Sequence, residues 1–256
     1  MELAGLHVLT TRESLGPDQL SDLLAAQGAR VTSIPTISLL PPEDWGPFDQ
    51  GAAQLDQYAW MVFTSINAVL MAKQRMDQLG ITQLPPGLKV AAVGSKTAAE
   101  IKRAGWPLNL VPKDFQAEGL IREFEKLRLG GLKIFFPRAE EGRETLVAGL
   151  GFLGAQVTLA PVYRNEPAWE NQEALENCLA NDPPHWITFT SGSTVRNFFS
   201  IVERLPNQLP RLASIGKVTT AELRKEHCIP DFTAHPQTLE GLVQGMIDKE
   251  NHDPSL

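Results

Sequence analysis

The chain is written twice. Arg12, Pro35 and the run Phe63-Thr64-Ser65 return 126 residues later as Arg138, Pro161 and Phe189-Thr190-Ser191. The same offset carries Gly5-Leu6 onto Gly131-Leu132, Gly16 onto Gly142, Leu20 and Leu24 onto Leu146 and Leu150, and Gly28-Ala29 onto Gly154-Ala155. It also carries Val31-Thr32 onto Val157-Thr158, Trp60 onto Trp186 and Val69 onto Val195. Further on the offset drops to 122, matching Gly94 and Thr97 with Gly216 and Thr219, and Glu118-Gly119-Leu120 with Glu240-Gly241-Leu242. A register held over so many positions marks an internal duplication, and the fold must then be assembled from two like halves. A length of 256 residues, at about 150 per domain, agrees.

Each copy alternates strands with helices. Leu6–Thr11 and Leu132–Pro137 are short apolar runs of strand length, and Leu20, Leu23 and Leu24 share a helical face that stops at Gly28. Val31–Leu40 reads as a strand ending at Pro41-Pro42, and its counterpart Val157–Arg164 ends near Pro167. Trp60–Thr64, Lys89–Val93, Trp186–Thr190 and Leu212–Ile215 are buried strands, each running into a small-residue turn and a helix. This is the pattern of two doubly wound, parallel-sheet α/β domains. Pro-rich polar stretches near 40–47 and 164–169 sit at the same place in each copy. If the chain crosses between lobes there, the first strand and helix belong with the last segment. From the pattern alone, that crossed partition and a sequential one stand level.

Charge narrows the partners. With 23 Lys and Arg against 30 Asp and Glu, the chain carries net charge −7, which repels nucleic acid and anionic membranes. A small anionic ligand held in a locally positive cleft remains compatible. The two cysteines, Cys178 and Cys228, have no metal-ligand spacing, and no basic leader or long apolar run is present. The expectation is a cytoplasmic protein without a disulfide framework.

Four strand-to-helix turns carry similar chemistry: Thr64-Ser65-Ile66-Asn67, Gly94-Ser95-Lys96-Thr97, Thr190-Ser191-Gly192-Ser193-Thr194 and Gly216-Lys217-Val218-Thr219-Thr220. Open α/β sheets bind ligands at such turns, where free N–H groups and the helix dipole attract anions. None of the four contains Asp or Glu. Ser, Thr and Asn are also ordinary helix caps, so one such turn is a cap more often than a site. Arg12 and Arg138, ending the first strand of each copy, could fork a carboxylate or pair with Glu13 or Glu140-Glu141. Neither Gly94-Ser95-Lys96-Thr97 nor Gly216-Lys217-Val218-Thr219 has the upstream glycine spacing of a Walker A loop, and no GxGxxG opens the first helix of either copy, which argues against a nucleotide-dependent transferase. No GxSxG elbow surrounds Ser65 or Ser191, and the five histidines lie outside the turns, which argues against a Ser-His-Asp hydrolase. Trp60 and Trp186 read as core. One position breaks the duplication: Tyr163 stands where the first copy has Ile37. A phenol stays protonated at neutral pH and can donate to a departing oxygen, although a tyrosine on a half-buried strand is commonly structural.

Taken together, Val62–Val69, Val93–Ala98, Pro161-Val162-Tyr163-Arg164, Thr188–Ser193 and Ile215–Ala221 resemble the uroporphyrinogen-III synthase family, in order and over essentially the whole length. Val218 is the one departure, at a place where a small or polar residue is expected. The resemblance implies the crossed partition: residues 1–34 with 168–256 as one α/β domain, 43–158 as the other, and 35–42 and 159–167 as linker strands. It implies cyclisation of hydroxymethylbilane to uroporphyrinogen III, with loss of water and inversion of ring D, and no metal or organic cofactor. Tyr163 then assists departure of the hydroxyl. Arg12, Thr64, Ser65, Asn67, Gly94, Ser95, Lys96, Thr97, Arg138, Ser191, Gly192, Ser193, Gly216, Lys217 and Thr219 bind the substrate carboxylates. The implied protein is a monomer without nucleic-acid or membrane partners, touching the upstream bilane-forming enzyme only transiently. The rival is a two-lobe module that clamps a tetrapyrrole-like anion without chemistry. The Tyr163/Ile37 asymmetry favours the enzyme, since a clamp has less use for one added phenol.

Overall fold

A computed structural model describes residues 2–13, 18–142 and 144–252, so Gly16 of the repeat lies outside the described residues. The chain divides into two units, Met1–Ser38 with Glu166–Leu256, and Leu39–Asn165.

In the first unit, β1 (His7–Thr10), α1 (Gln19–Ala26) and β2 (Arg30–Ser33) from the start of the chain join elements from its end. These are α7 (Gln172–Asn181), β8 (Trp186–Phe189), α8 (Gly192–Ile201), β9 (Arg211–Ser214), α9 (Lys217–Lys225), β10 (Phe232–Thr233) and α10 (Leu239–His252). The sheet order is β10-β9-β8-β1-β2, all parallel. The second unit contains α2 (Gly46–Ala52), β4 (Trp60–Phe63), α3 (Ile66–Gln78), β5 (Lys89–Ala92), α4 (Ser95–Arg103), α5 (Ala117–Glu125), β6 (Lys133–Ala139), α6 (Thr145–Phe152) and β7 (Gln156–Pro167). With β3 (Ile37–Leu40) at its edge, the sheet runs β3-β7-β6-β4-β5, and β7-β6-β4-β5 are parallel.

Both sheets are wound on both faces, and period-two alternation explains how. Met61 and Phe63 of β4 point into a core with Ala68, Val69, Ala72 and Met76 of α3 and Ile101 of α4. Trp60 and Val62 point the other way, onto Leu120 and Phe124 of α5 and Leu146 and Leu150 of α6. Ile187 and Phe189 likewise meet Val195 and Phe198 of α8, while Trp186 joins Leu20 and Leu24 of α1 and Leu242 and Met246 of α10. Trp60 and Trp186 are core residues, each crossed on its ring by a cation, Lys89 or Arg211, at 5.5 Å from the ring centroid. The described residues include no helix long and apolar enough to cross a membrane.

The duplication is visible atom by atom. Gly5 and Gly131, and Gly28 and Gly154, all have positive φ. The side chain of Asn109 accepts from Val90 N–H, and 122 residues on Asp231 accepts from Leu212 N–H, both at 2.8 Å. The parallel bridge Ala91–Leu110 becomes the β9–β10 pair Ala213–Phe232.

Two expectations change in detail. Val31–Leu40 is two strands, because Pro35 has no N–H to donate: Ile34 and Thr36 still donate to Thr10 and Thr11 carbonyls, and the chain then leaves for the other sheet as β3. The stretches 35–42 and 159–167 do not stand apart from the sheets. Ile37–Leu40 is an edge strand, and Ala160, Val162 and Tyr163 of β7 are buried in the second unit's core.

Candidate functional site

In each unit the strand order reverses beside a central strand, and ligand crevices of open α/β sheets form there. In the second unit the reversal falls between β4 and β6: the chain leaves β4 for α3 on one face and β6 for α6 on the other. Three of the residues singled out from the sequence meet at this end of the sheet.

Ser65 caps α3, its Oγ accepting from Ala68 N–H at 3.1 Å. The same Oγ lies 3.2 Å from the Tyr163 hydroxyl. Tyr163 is held on β7 opposite Ala139, the last residue of β6, after a register shift at Arg138/Ala139, and its carbonyl accepts from Glu140 N–H at 2.8 Å. Arg138 is only 6 % exposed; it pairs with Glu144 at 3.2 Å, donates to the Ala139 carbonyl and lies 5.6 Å from the Phe136 ring. Gly142 makes room for it, since a Cβ there would sit 2.2 Å from the guanidinium. The ion partner of Arg138 is thus Glu144 rather than Glu140 or Glu141. Burial pushes the Tyr163 phenol above its usual range, while the Ser65 hydrogen bond and the Arg138 charge pull it back. The outcome is a protonated phenol near a hydroxyl and a fixed positive charge.

The four turns prove to be of two kinds. Ser65 and Ser191 are side-chain caps. Ser191 forms a full capping box, accepting from Thr194 N–H at 3.1 Å while the Thr194 hydroxyl accepts from Ser191 N–H. Gly94 and Gly216 cap α4 and α9 without any side-chain bond, so the leading amides of these helices have no side-chain acceptor at the cap. At Gly94 φ is −123° and a Cβ would meet nothing within 4 Å, so neither backbone conformation nor packing demands glycine there. Thr97 and Thr219 are buried, leaving Ser95 and Lys96, or Lys217 and Val218, exposed on these turns. Thr64 is exposed and Asn67 half-buried; Ser193 accepts from Arg196 at 3.3 Å, beside Gly192. Arg12, half-buried after β1, makes no ion pair with a described residue.

One element of this region escaped the sequence reading. Glu222 of α9 is buried and bonded to both Arg196 of α8 and Lys225, tying together the two helices that carry the first unit's turns. These carboxylate and guanidinium groups lie 26 positions apart, on different helices, and no local spacing announces them.

A family profile described as uroporphyrinogen-III synthase HemD matches residues 18–244. The chain belongs to the uroporphyrinogen-III synthase family. Its members are enzymes, cyclising lyases. A uroporphyrinogen-III synthase of Synechococcus elongatus is 31% identical over 254 residues, covering 94% of each chain. Two solved structures share the fold. Uroporphyrinogen-III synthetase from Helicobacter pylori matches with TM-score 0.64 at 19% identity, covering 95% of this chain and 99% of its own. A mutant uroporphyrinogen III synthase from Thermus thermophilus matches with TM-score 0.61 at 18% identity, covering 97% of this chain and 100% of its own.

Proposed function

We propose that the chain converts hydroxymethylbilane to uroporphyrinogen III in the cytoplasm, with Tyr163 assisting loss of the terminal hydroxyl and the turn residues holding the substrate carboxylates. The observation that carries the reading is the buried Tyr163 hydroxyl 3.2 Å from Ser65 Oγ, at a strand position where the first copy of the repeat has Ile37.

The electron-rich terminal pyrrole expels its hydroxyl with modest acid help. The Tyr163 proton converts the leaving group to water, and the Ser65 hydroxyl and the Arg138 charge stabilise the phenolate left behind. A carbon–carbon bond then closes the ring through a spiro-type transition state, and the proton lost in rearomatisation restores the phenol. Direct joining of the chain ends would leave the last ring unflipped, so the protein contributes chiefly by holding a contorted conformer. The substrate's many carboxylates suit neutral turns that present amides, with Lys96, Lys217 and Arg12 supplying charge. A protein that only clamped the ligand would have no need of a phenol in this position.

The test is to give the purified protein freshly made hydroxymethylbilane and resolve the uroporphyrin isomers after oxidation. Type III is expected; type I alone would refute the reaction. Tyr163→Phe should lower kcat by about tenfold to a hundredfold with KM little changed. An intact rate would remove Tyr163 from the acid role.

A further inference from the structure

Basic side chains gather at the edge of the first unit, beside α9 and β10. One side of α9, from its first turn to its last, together with Thr233 of β10 and the segment after it, borders a cavity of about 460 Å³, lined by Lys217, Thr220, Arg224, Thr233, His235 and Gln237, together with two alanines. No carboxylate lines it, in a chain of net charge −7. Lys217, Arg224 and His235 make no ion pair with a described residue. The walls are held in place from beneath. The Thr220 hydroxyl bonds that of Thr233 at 2.6 Å and that of Ser214 at 2.9 Å, fixing β10 to α9 and using up those hydroxyls internally. The Gln237 side chain lies directly over Gly216, where a Cβ would come within 2.5 Å of its Oε1, so the cavity is continuous with the Gly216-Lys217 turn.

The other copy shows what the duplication kept. At the positions 122 residues earlier, Lys102 and Lys113 stand for Arg224 and His235, preserving two side chains of the same basic class, whereas Lys217 and Gln237 are replaced by Ser95 and Phe115. The first unit has added a third basic residue and an amide to a shared pair.

We propose that this cavity is a carboxylate subsite, taking the acid side chains of one pyrrole ring of the linear tetrapyrrole, with Arg224 as its principal anchor. The proposal rests on the reading that the chain acts on hydroxymethylbilane. Arg224 and His235 are exposed; the Arg224 guanidinium can close a charge-assisted pair on a carboxylate, Lys217 brings a second charge from the turn, and the His235 ring and the Gln237 amide can add hydrogen bonds.

Steady-state kinetics with hydroxymethylbilane test it. Arg224→Gln should raise KM about tenfold and leave kcat within about twofold, as expected for a charged hydrogen bond that holds substrate and transition state alike. His235→Gln should raise KM less, and Arg224→Lys should recover much of the loss. Arg204→Gln, which removes an exposed charge elsewhere on the same unit, controls for the change in net charge, and unchanged melting temperatures establish that the variants fold. If Arg224→Gln moves KM no more than Arg204→Gln while the wild type still yields type III, the subsite is wrong and the reaction stands. If the wild type yields only type I, the reaction and the subsite fall together.

Discussion

The two units have the same winding and nearly the same turns, yet they are equipped differently. In the second, Ser65 caps α3 and also touches Tyr163, with Arg138 locked nearby. In the first, Ser191 caps α8 in the same way but its partners are local, the position matching Tyr163 is Ile37, and Arg12 makes no ion pair with a described residue. The first unit instead ties α8 to α9 through Arg196 and Glu222, where the second has Leu70 in place of the arginine. Duplication thus supplied two similarly wound sheets with similar capping turns, and only the second unit places a phenol beside its capping serine.

The two capping serines offer the sharpest way to break that comparison. Ser65→Ala and Ser191→Ala should each destabilise by about 1 kcal/mol through loss of a helix cap. Only Ser65→Ala should also lower kcat, by about threefold to tenfold, because the Tyr163 phenol loses its hydrogen-bond partner. Urea titrations and turnover assays on both variants check this. Equal kinetic losses in the two would mean that the serines act as generic substrate contacts and that Ser65 has no special tie to Tyr163.

The same contrast explains what could be read from the residues alone. Strand starts at Trp60, Lys89 and Trp186 were legible because apolar runs of strand length end in turn residues, and the repeat supplied each a second witness. Tyr163 stood out only because Ile37 occupies its mate's position. Its contact with Ser65 was not legible: the two are 98 positions apart, and what joins them is the order of β7, β6 and β4 in a sheet whose topology no local pattern encodes. Arg138 pairs with Glu144 rather than its immediate acidic neighbours because the register shift at Arg138/Ala139 re-aims the side chain. The break in Val31–Leu40 was legible in principle, since Pro35 cannot donate; what hid it was the apolar run continuing on both sides.

Helix ends provide a milder test of equivalence. After α4, Gly105 takes φ +77° and donates to the Lys102 carbonyl; 122 residues later His227 takes φ +57° and donates to the Arg224 carbonyl. Trp106 and Cys228 then close the same bond, to Ile101 and Leu223. The left-handed conformation disfavours any side chain by about 1 kcal/mol. Gly105→Ala should therefore destabilise, and His227→Gly should stabilise, each by about 1 kcal/mol or less after the extra chain entropy of glycine is counted. Thermal melts of the two variants read this directly. A destabilised His227→Gly would mean that the imidazole contributes something its backbone position does not reveal.

The smallest effect concerns acid, and it too separates the units. His7 on β1 is fully buried, its Nε2 bonded to the Thr32 hydroxyl at 2.8 Å, while Nδ1 has no hydrogen-bond partner among the described residues and lies 3.7 Å from the Asp182 carboxylate. Burial, followed by the Arg30 charge, holds its pKa below the ordinary 6.5, with Asp182 opposing. In the unfolded chain the imidazole binds its proton near 6.5, whereas the folded protein resists until lower pH. The unfolded state then carries more protons, so the contribution of neutral His7 is complete above pH 6.5 and is lost progressively as pH falls below it. The matching residue of the second unit is Lys133, an exposed side chain that donates to Gln57 at 3.0 Å. Urea unfolding at stepped pH should show stability declining below about pH 6.5, and His7→Gln, which can keep a bond to Thr32, should flatten that decline. A slope unchanged by His7→Gln would assign the acid sensitivity to other groups and leave the two units alike in this respect.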